Sequence, residues 1–295
     1  MSSAADNHLK GLAFALFGVT CFIPDALLFR LTDAEPLTVA FWRGMMAGAV
    51  LTIGVAVLVR GGWRALLRPG RIGLALAVVQ ALNLILFCAA LWYTSAANTL
   101  VILASAPMIA AVLSRVLLGE RVAPQTWAAI LAVSAGVIFV GAEGLSRFGG
   151  LGELLAFGNA VMIAVFFVLV RQAGDAQMIP SVGLGYLVAM VALLPFADFA
   201  PLAPAQWGWL ALSGFLMLPG ALIGLTLGGR YLPPPEVSML VLLEVVLGPL
   251  LVWALLGEDP GERTLIGAAV VISALFLHAV WQLRSMRPPR QPLRP

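Results

Sequence analysis

Residues 98–120 read NTLVILASAPMIAAVLSRVLLGE. No ionisable side chain interrupts this stretch from Asn98 to Ser114, and it closes on Leu117-Leu118-Gly119-Glu120, a glycine and an acid that mark a turn. A helix needs about 20 such residues to cross the ~30 Å hydrocarbon layer of a bilayer. Working outward, stretches of this kind fill the chain. Ten spans are expected, at 11–29, 37–59, 72–93, 98–118, 124–142, 150–171, 179–197, 206–227, 235–256 and 264–283. Turn and charge chemistry separates them, as in Asp33-Ala34-Glu35-Pro36, Arg60-Gly61-Gly62, Pro233-Pro234-Pro235 and Gly257 to Gly261.

Composition demands the same solvent. Of the 295 residues 61% are hydrophobic and only 11% charged, with a mean hydropathy of +1.01; too few charges exist to cover a water-soluble globule. The fold class expected is an all-α integral membrane protein, a single membrane domain over 1–295 with lipid as its main partner. The first span is about 19 residues long, with only Lys10 as a basic residue ahead of it and no small-residue cleavage site after it, so a retained helix is expected rather than a signal peptide. Cys21 and Cys88 lie inside apolar runs and read as packed free thiols.

Lys and Arg set the expected orientation. With the N-terminus inside, thirteen of the 17 fall in inner segments, including Arg60, Arg64, Arg68 and Arg71 in one loop, while Arg30, Arg147 and Arg263 fall outside and Arg43 within a span. This bias places both termini in the cytoplasm. It also accounts for the net charge of +3 without a basic face, so no nucleic-acid partner is called for. Trp92, Tyr93, Trp207, Trp209 and Trp253 fall near outer ends and Trp127, Tyr231 and Trp281 near inner ends, as interfacial anchors do.

Shifting the chain by 138 residues aligns Leu117-Leu118-Gly119-Glu120 with Leu255-Leu256-Gly257-Glu258, each at the same helix-to-loop junction. Two five-span repeats follow, 11–142 and 150–283, with a cytoplasmic tail at 284–295. Five is odd, so the second copy enters the membrane from the opposite side, an inverted repeat around a central cavity.

These ten spans, the doubled unit, Phe41-Trp42-Arg43-Gly44 in the second span, Ala106-Pro107 in the fourth and the Leu-Leu-Gly-Glu ends resemble the EamA family of the drug/metabolite transporter superfamily. Within it the chain looks most like the YddG-type amino acid exporters. The resemblance implies a secondary transporter of the bacterial inner membrane, exporting small solutes such as aromatic and other neutral amino acids by alternating access, working as a monomer. One departure stands out. The second repeat of the family commonly reads Glu-Pro where this chain has Glu244-Val245, with a proline only at Pro249, which counts against a helix break there.

Ionisable groups deep in lipid cost about 2.5 to 3.5 kcal/mol each on insertion scales, so those retained pair, line a wet cavity or bind something. Arg43 lies ~10 Å below the outer surface at the helical rise, and Glu244 near the midplane. Arg43 is a candidate for a substrate carboxylate and Glu244 for a proton or an ammonium group; an ion pair that holds helices together is the alternative for both. Trp42 and Tyr186 lie six or seven residues inside their spans and are candidates for lining the cavity. Gln80, Asn83, Ser105 and Asn159 complete the substrate-binding set, each also explicable as an interhelical hydrogen bond. Pro24 and Asp25 suggest a kink or gate in the outer third of the first span, although Asp25 could pair with Arg30 at the interface. Gly44-x-x-x-Gly48 and the Gly220, Gly224, Gly228 series read as packing faces. His278 reads as structural and His8 as part of the tail.

No G-x-x-x-x-G-K-[ST] loop or H-E-x-x-H pair is present, so no nucleotide, cofactor or metal is expected and transport must run on gradients. An intramembrane hydrolase is the competing class, with Ser213 and His278 as its weak pair, since Ala-Leu-Ser-Gly lacks the glycine-framed elbow.

Overall fold

The computed structural model describes residues 4–58, 62–142, 150–174, 178–197, 201–257 and 261–285; Arg60, Arg147, Glu258 and the tail beyond Ser285 lie outside the described residues. The protein is all-helical among those residues. Nine stretches of the described residues are long and apolar enough to cross a membrane: Leu37–Leu58, Gly70–Tyr93, Asn98–Leu118, Pro124–Gly141, Leu151–Ala173, Ile179–Phe196, Pro204–Tyr231, Pro234–Leu256 and Glu262–Ser285. They are the second to tenth expected spans, with ends shifted by a few residues. The first is divided into Ala4–Phe22 and Asp25–Thr32. Pro24 causes the division: it has no N–H to donate, so the first helix ends where Ile23 N–H donates to the Val19 carbonyl (3.0 Å) and the next begins with Leu28 N–H on the Pro24 carbonyl (2.9 Å).

Neighbour relations follow a twofold exchange of halves. The first span packs on the eighth and the sixth on the third, while second packs with seventh, fourth with ninth and fifth with tenth. Adding five to each member of a pair returns another pair of the set, as an inverted repeat requires. Local structure repeats at the same 138-residue offset. The third span ends at Tyr93 and the eighth at Tyr231. Ala96–Leu103 opens the fourth span as Pro234–Val241 opens the ninth. Gly119 and Gly257 end these spans in the left-handed conformation, at φ 70° and 74°, where a side chain would be strained.

Both the fourth and the ninth spans are broken mid-membrane. The fourth turns at Ala104–Ser105, just ahead of Pro107. The ninth turns at Leu242, so the expectation drawn from the missing Glu-Pro pair is corrected: Leu242 N–H donates to the Met239 carbonyl (3.1 Å) and Val245 N–H to the Leu242 carbonyl (3.2 Å), a tightened turn that needs no proline. Glu244 follows this break directly. Wide π-helical turns occur at Val50–Gly54, Ser114–Leu118 and Leu212–Met217.

Large apolar side chains such as Val116, Leu154, Phe276 and Leu277 are exposed on the outside, the surface that meets lipid, while Val19, Leu222, Val237 and Met239 are buried between spans. The glycine faces give close helix contact. A Cβ on Gly224 would lie 2.6 Å from the Gly18 backbone, and one on Gly228 2.9 Å from Ala15. At the face where the first span begins and the tenth ends, here the terminal face, Arg171 Nε donates to Glu120 Oε1 (3.0 Å) and Arg171 Nη1 to the Arg230 carbonyl (2.7 Å). The glutamate of the first Leu-Leu-Gly-Glu thus ties the fourth span to the sixth and, through Arg171, to the eighth.

Gly224→Ala is expected to lower the melting temperature, because backbone cannot yield to the added methyl and overpacking costs about 1–3 kcal/mol. Gly208, on an exposed helical surface with nothing within 4 Å of an added Cβ, provides the control: Gly208→Ala should leave the melting temperature unchanged or raise it.

Candidate functional site

The kink at Pro24 aims the first turn of Asp25–Thr32 across to the second span. There Arg43 Nη2 donates to Asp25 Oδ1, an ion pair between side chains 13% and 19% exposed. Ser213, in the π-helical turn of the eighth span, also reaches Asp25 Oδ1 at 3.5 Å. Glu244, placed by the Leu242 break, lies within electrostatic reach of both Asp25 and Arg43. Arg43 Nε is buried without a hydrogen-bond partner among the described residues. The cluster therefore holds one guanidinium against two carboxyl groups, and both halves of the chain supply it: Asp25 and Arg43 from the first, Ser213 and Glu244 from the second.

Tyr186 and Gln80 adjoin it. Both are buried, the Tyr186 hydroxyl is hydrogen-bonded to Gln80, and the ring lies in the field of Arg43 and Asp25. Gly44 faces Tyr186, and a Cβ there would make an ordinary contact with its ring at 3.8 Å. Trp42 stacks edge-to-face on Trp207 of the eighth span, ring centres 4.9 Å apart. Beside it Gln206 Nε2 donates to the Asp33 carbonyl (3.0 Å), joining the start of the eighth span to the loop after the first.

The remaining sequence candidates stand elsewhere. Asn159 Nδ2 donates to both the backbone and the side-chain oxygen of Asn83, each at 2.6 Å, a bridge between sixth and third spans. Ser105 donates back to the Ile102 carbonyl at 2.7 Å and lines, with Ser134, Met108 and Phe157, a groove of about 290 Å3. Exposed Met108 and Phe157 place that groove on the outward surface. Ser213 and His278 belong to different clusters, Ser213 with Asp25 and His278 with Glu236.

Sequence reasoning missed two features. Ser213 was weighed only as a nucleophile; its place on the face of the π-helical turn is what brings it to Asp25. At the terminal face His8 is buried rather than in a tail, because the first helix begins at Ala4, and it stands with His278 around Glu236. The 138-residue offset carried a signal for this group, since it maps Asn98 onto Glu236.

The pattern of the EamA-like transporter family matches residues 9–142 and again 150–280. The chain belongs to this family. It is therefore a multi-pass membrane transporter and not an enzyme. A solved crystal structure is similar over 95% of this chain and 99% of its own, with a TM-score of 0.80 at 18% identity, a likeness of fold. No curated protein matches the sequence.

A double-mutant cycle tests the ion pair. Removing one partner of a buried pair leaves an uncompensated charge and costs about 3–5 kcal/mol, whereas replacing both with apolar groups costs far less. Asp25→Leu and Arg43→Leu should each lower the melting temperature more than the double variant does. Additive losses would show that the pair is not coupled.

Proposed function

We propose that the protein is a gradient-driven exporter of small organic solutes, neutral amino acids among them, in a bacterial inner membrane, with both termini cytoplasmic and the monomer as the working unit. The observation that carries this reading is the makeup of the Arg43 cluster. A site shared by two inverted halves is in contact with both elements that must rock against each other, the requirement for alternating access. Its charges suit a zwitterion: a substrate carboxylate can take the place of Asp25 on the Arg43 fork, while its ammonium group meets the displaced Asp25 or Glu244. Tyr186 and Gln80 beside the guanidinium supply an aromatic wall and an amide. The resemblance to YddG-type exporters supports the same substrate class, and the thirteen-to-three distribution of basic residues supports the orientation.

Purified protein in proteoliposomes should exchange labelled amino acids. Arg43→Lys should fold, by melting temperature, yet lose at least about tenfold in flux, because an ammonium cannot copy the bidentate fork. Glu244→Gln separates the energy source: if Glu244 carries the coupling proton, flux driven by a pH gradient is abolished and downhill exchange survives. A fully active Arg43→Lys protein, or absence of flux for every amino acid offered, would overturn the assignment.

A further inference from the structure

A second cluster lies at the terminal face, away from Arg43. His8 of the first span, Glu236 of the ninth and His278 of the tenth are 5%, 6% and 8% exposed. His8 Nε2 is 3.8 Å from Glu236 Oε2, and His278 Nε2 is 3.7 Å from Glu236 Oε1, so one imidazole faces each carboxylate oxygen. Both distances exceed a hydrogen bond. Neither ring nitrogen of His278 has a hydrogen-bond partner among the described residues; its ring stacks on Trp281 at 5.9 Å. Gln282 Nε2 donates to Glu236 Oε1 at 2.7 Å. His8, Glu236, His278 and the apolar Leu12, Met239 and Leu275 enclose a cavity of about 20 Å3.

The equivalent position at the other face carries different chemistry. Glu236 is Asn98 advanced by 138 residues. Asn98 Nδ2 donates to Glu153 Oε1 (3.0 Å), where Thr94 Oγ1 also donates (2.6 Å), and the Gly150 N–H donates to Glu153 Oε2 (2.9 Å). One face of the inverted repeat thus satisfies its carboxylate with neutral donors. The other opposes its carboxylate with two imidazoles, the side chain whose charge changes around neutral pH.

We propose that His8, Glu236 and His278 form a proton-binding site that holds the first, ninth and tenth spans together at the terminal face when it carries one proton. Charge decides the occupancy. With no proton the packed cluster buries a lone carboxylate, with one it is neutral overall, and with two it buries a net positive charge; a low-dielectric site favours the neutral state. The proton, taken from water, forms an N–H bond on either Nε2 and turns one carboxylate–imidazole contact into an ion pair. Other charged groups stand on the elements packed around it. Arg171 of the sixth span is held by Glu120 and the Arg230 carbonyl, and Arg230 of the eighth donates from Nε to the Gly174 carbonyl (2.9 Å). Asp6 and Lys10 flank His8 on the first span, Arg115 and Arg121 stand at the end of the fourth, and Arg284 follows His278 by under two turns.

The sign of the pH effect follows. By this charge balance the closed face favours the singly protonated cluster over both the unprotonated and the doubly protonated one. Closure is therefore strongest at an intermediate pH, weakening above it as the proton leaves and below it as the second imidazole charges. The proposal does not depend on which solute is carried.

Hydrogen–deuterium exchange on the full chain in lipid nanodiscs tests this from about pH 5.5 to about pH 9, a range that brackets histidine titration. Protection over 7–12, 236–240 and 275–282 is divided by protection over 94–99 and 150–155 at the opposite face, which cancels the intrinsic pH dependence of exchange. The ratio should pass through a maximum and fall on each side by up to about tenfold per pH unit, the limit for one proton. In Glu236→Gln, where no proton is compensated, the ratio should instead rise steadily with pH. A wild-type ratio that is flat over the range overturns the proposal whether or not the variant folds, and so does a maximum that survives in Glu236→Gln.

Discussion

Hydrocarbon cannot solvate an ion, and this one constraint organises the molecule. Four carboxylates at or within the spans, Asp25, Glu120, Glu153 and Glu236, meet partners from other spans, so charges become joints of the bundle. Asp25 and Arg43 join the first span to the second, with Ser213 of the eighth on the same oxygen. Glu120 and Arg171 join fourth to sixth, Glu153 joins the sixth to the third-to-fourth turn, and Glu236 joins ninth to first and tenth. Cutting any joint leaves a charge with nowhere to go. In the proposed mechanism a substrate or a proton takes the partner's place, so the constraint that stabilises the bundle also gates it.

Backbone irregularities put those joints where they are. Pro24 turns Asp25 toward Arg43, the break at Leu242 presents Glu244, and the π-helical turn at Leu212–Met217 presents Ser213. Such irregular backbone is tolerated at membrane depth only where protein covers it. The cover is close: Gly18 against Gly224 and Ala15 against Gly228 let the first and eighth spans approach with no side chain between them.

Much of the fold is legible in the sequence, because each span is a long apolar run and lipid enforces its length. The repeat was legible too, since Gly119 and Gly257 serve the same left-handed turn. The break in the ninth span was not. It rests on two tightened hydrogen bonds around Leu242, and Met239, Leu242 and Val245 are ordinary helix residues with no proline among them. Arg43 and Glu244 stood out as charges in lipid, but their environment did not, since Asp25 and Ser213 are 188 residues apart and meet only after the halves fold together. For the polar uncharged residues the structure shows the interhelical alternative at one pair, where Asn159 Nδ2 donates to Asn83, while Ser105 donates to its own helix.

The central claim is that the two inverted halves tilt about the Arg43 cluster, opening one face as the other closes. Paired spin labels measure this directly, one pair at exposed Arg121 and Arg284 on the terminal face and another at exposed Tyr93 and Ala205 on the opposite face, each pair joining one half to the other. Distances in nanodiscs, taken under conditions in which the same preparation shows flux, should fall into two populations at each pair. A change of pH or solute that lengthens one pair should shorten the other. A single unchanging distance at both faces during active transport would contradict the account.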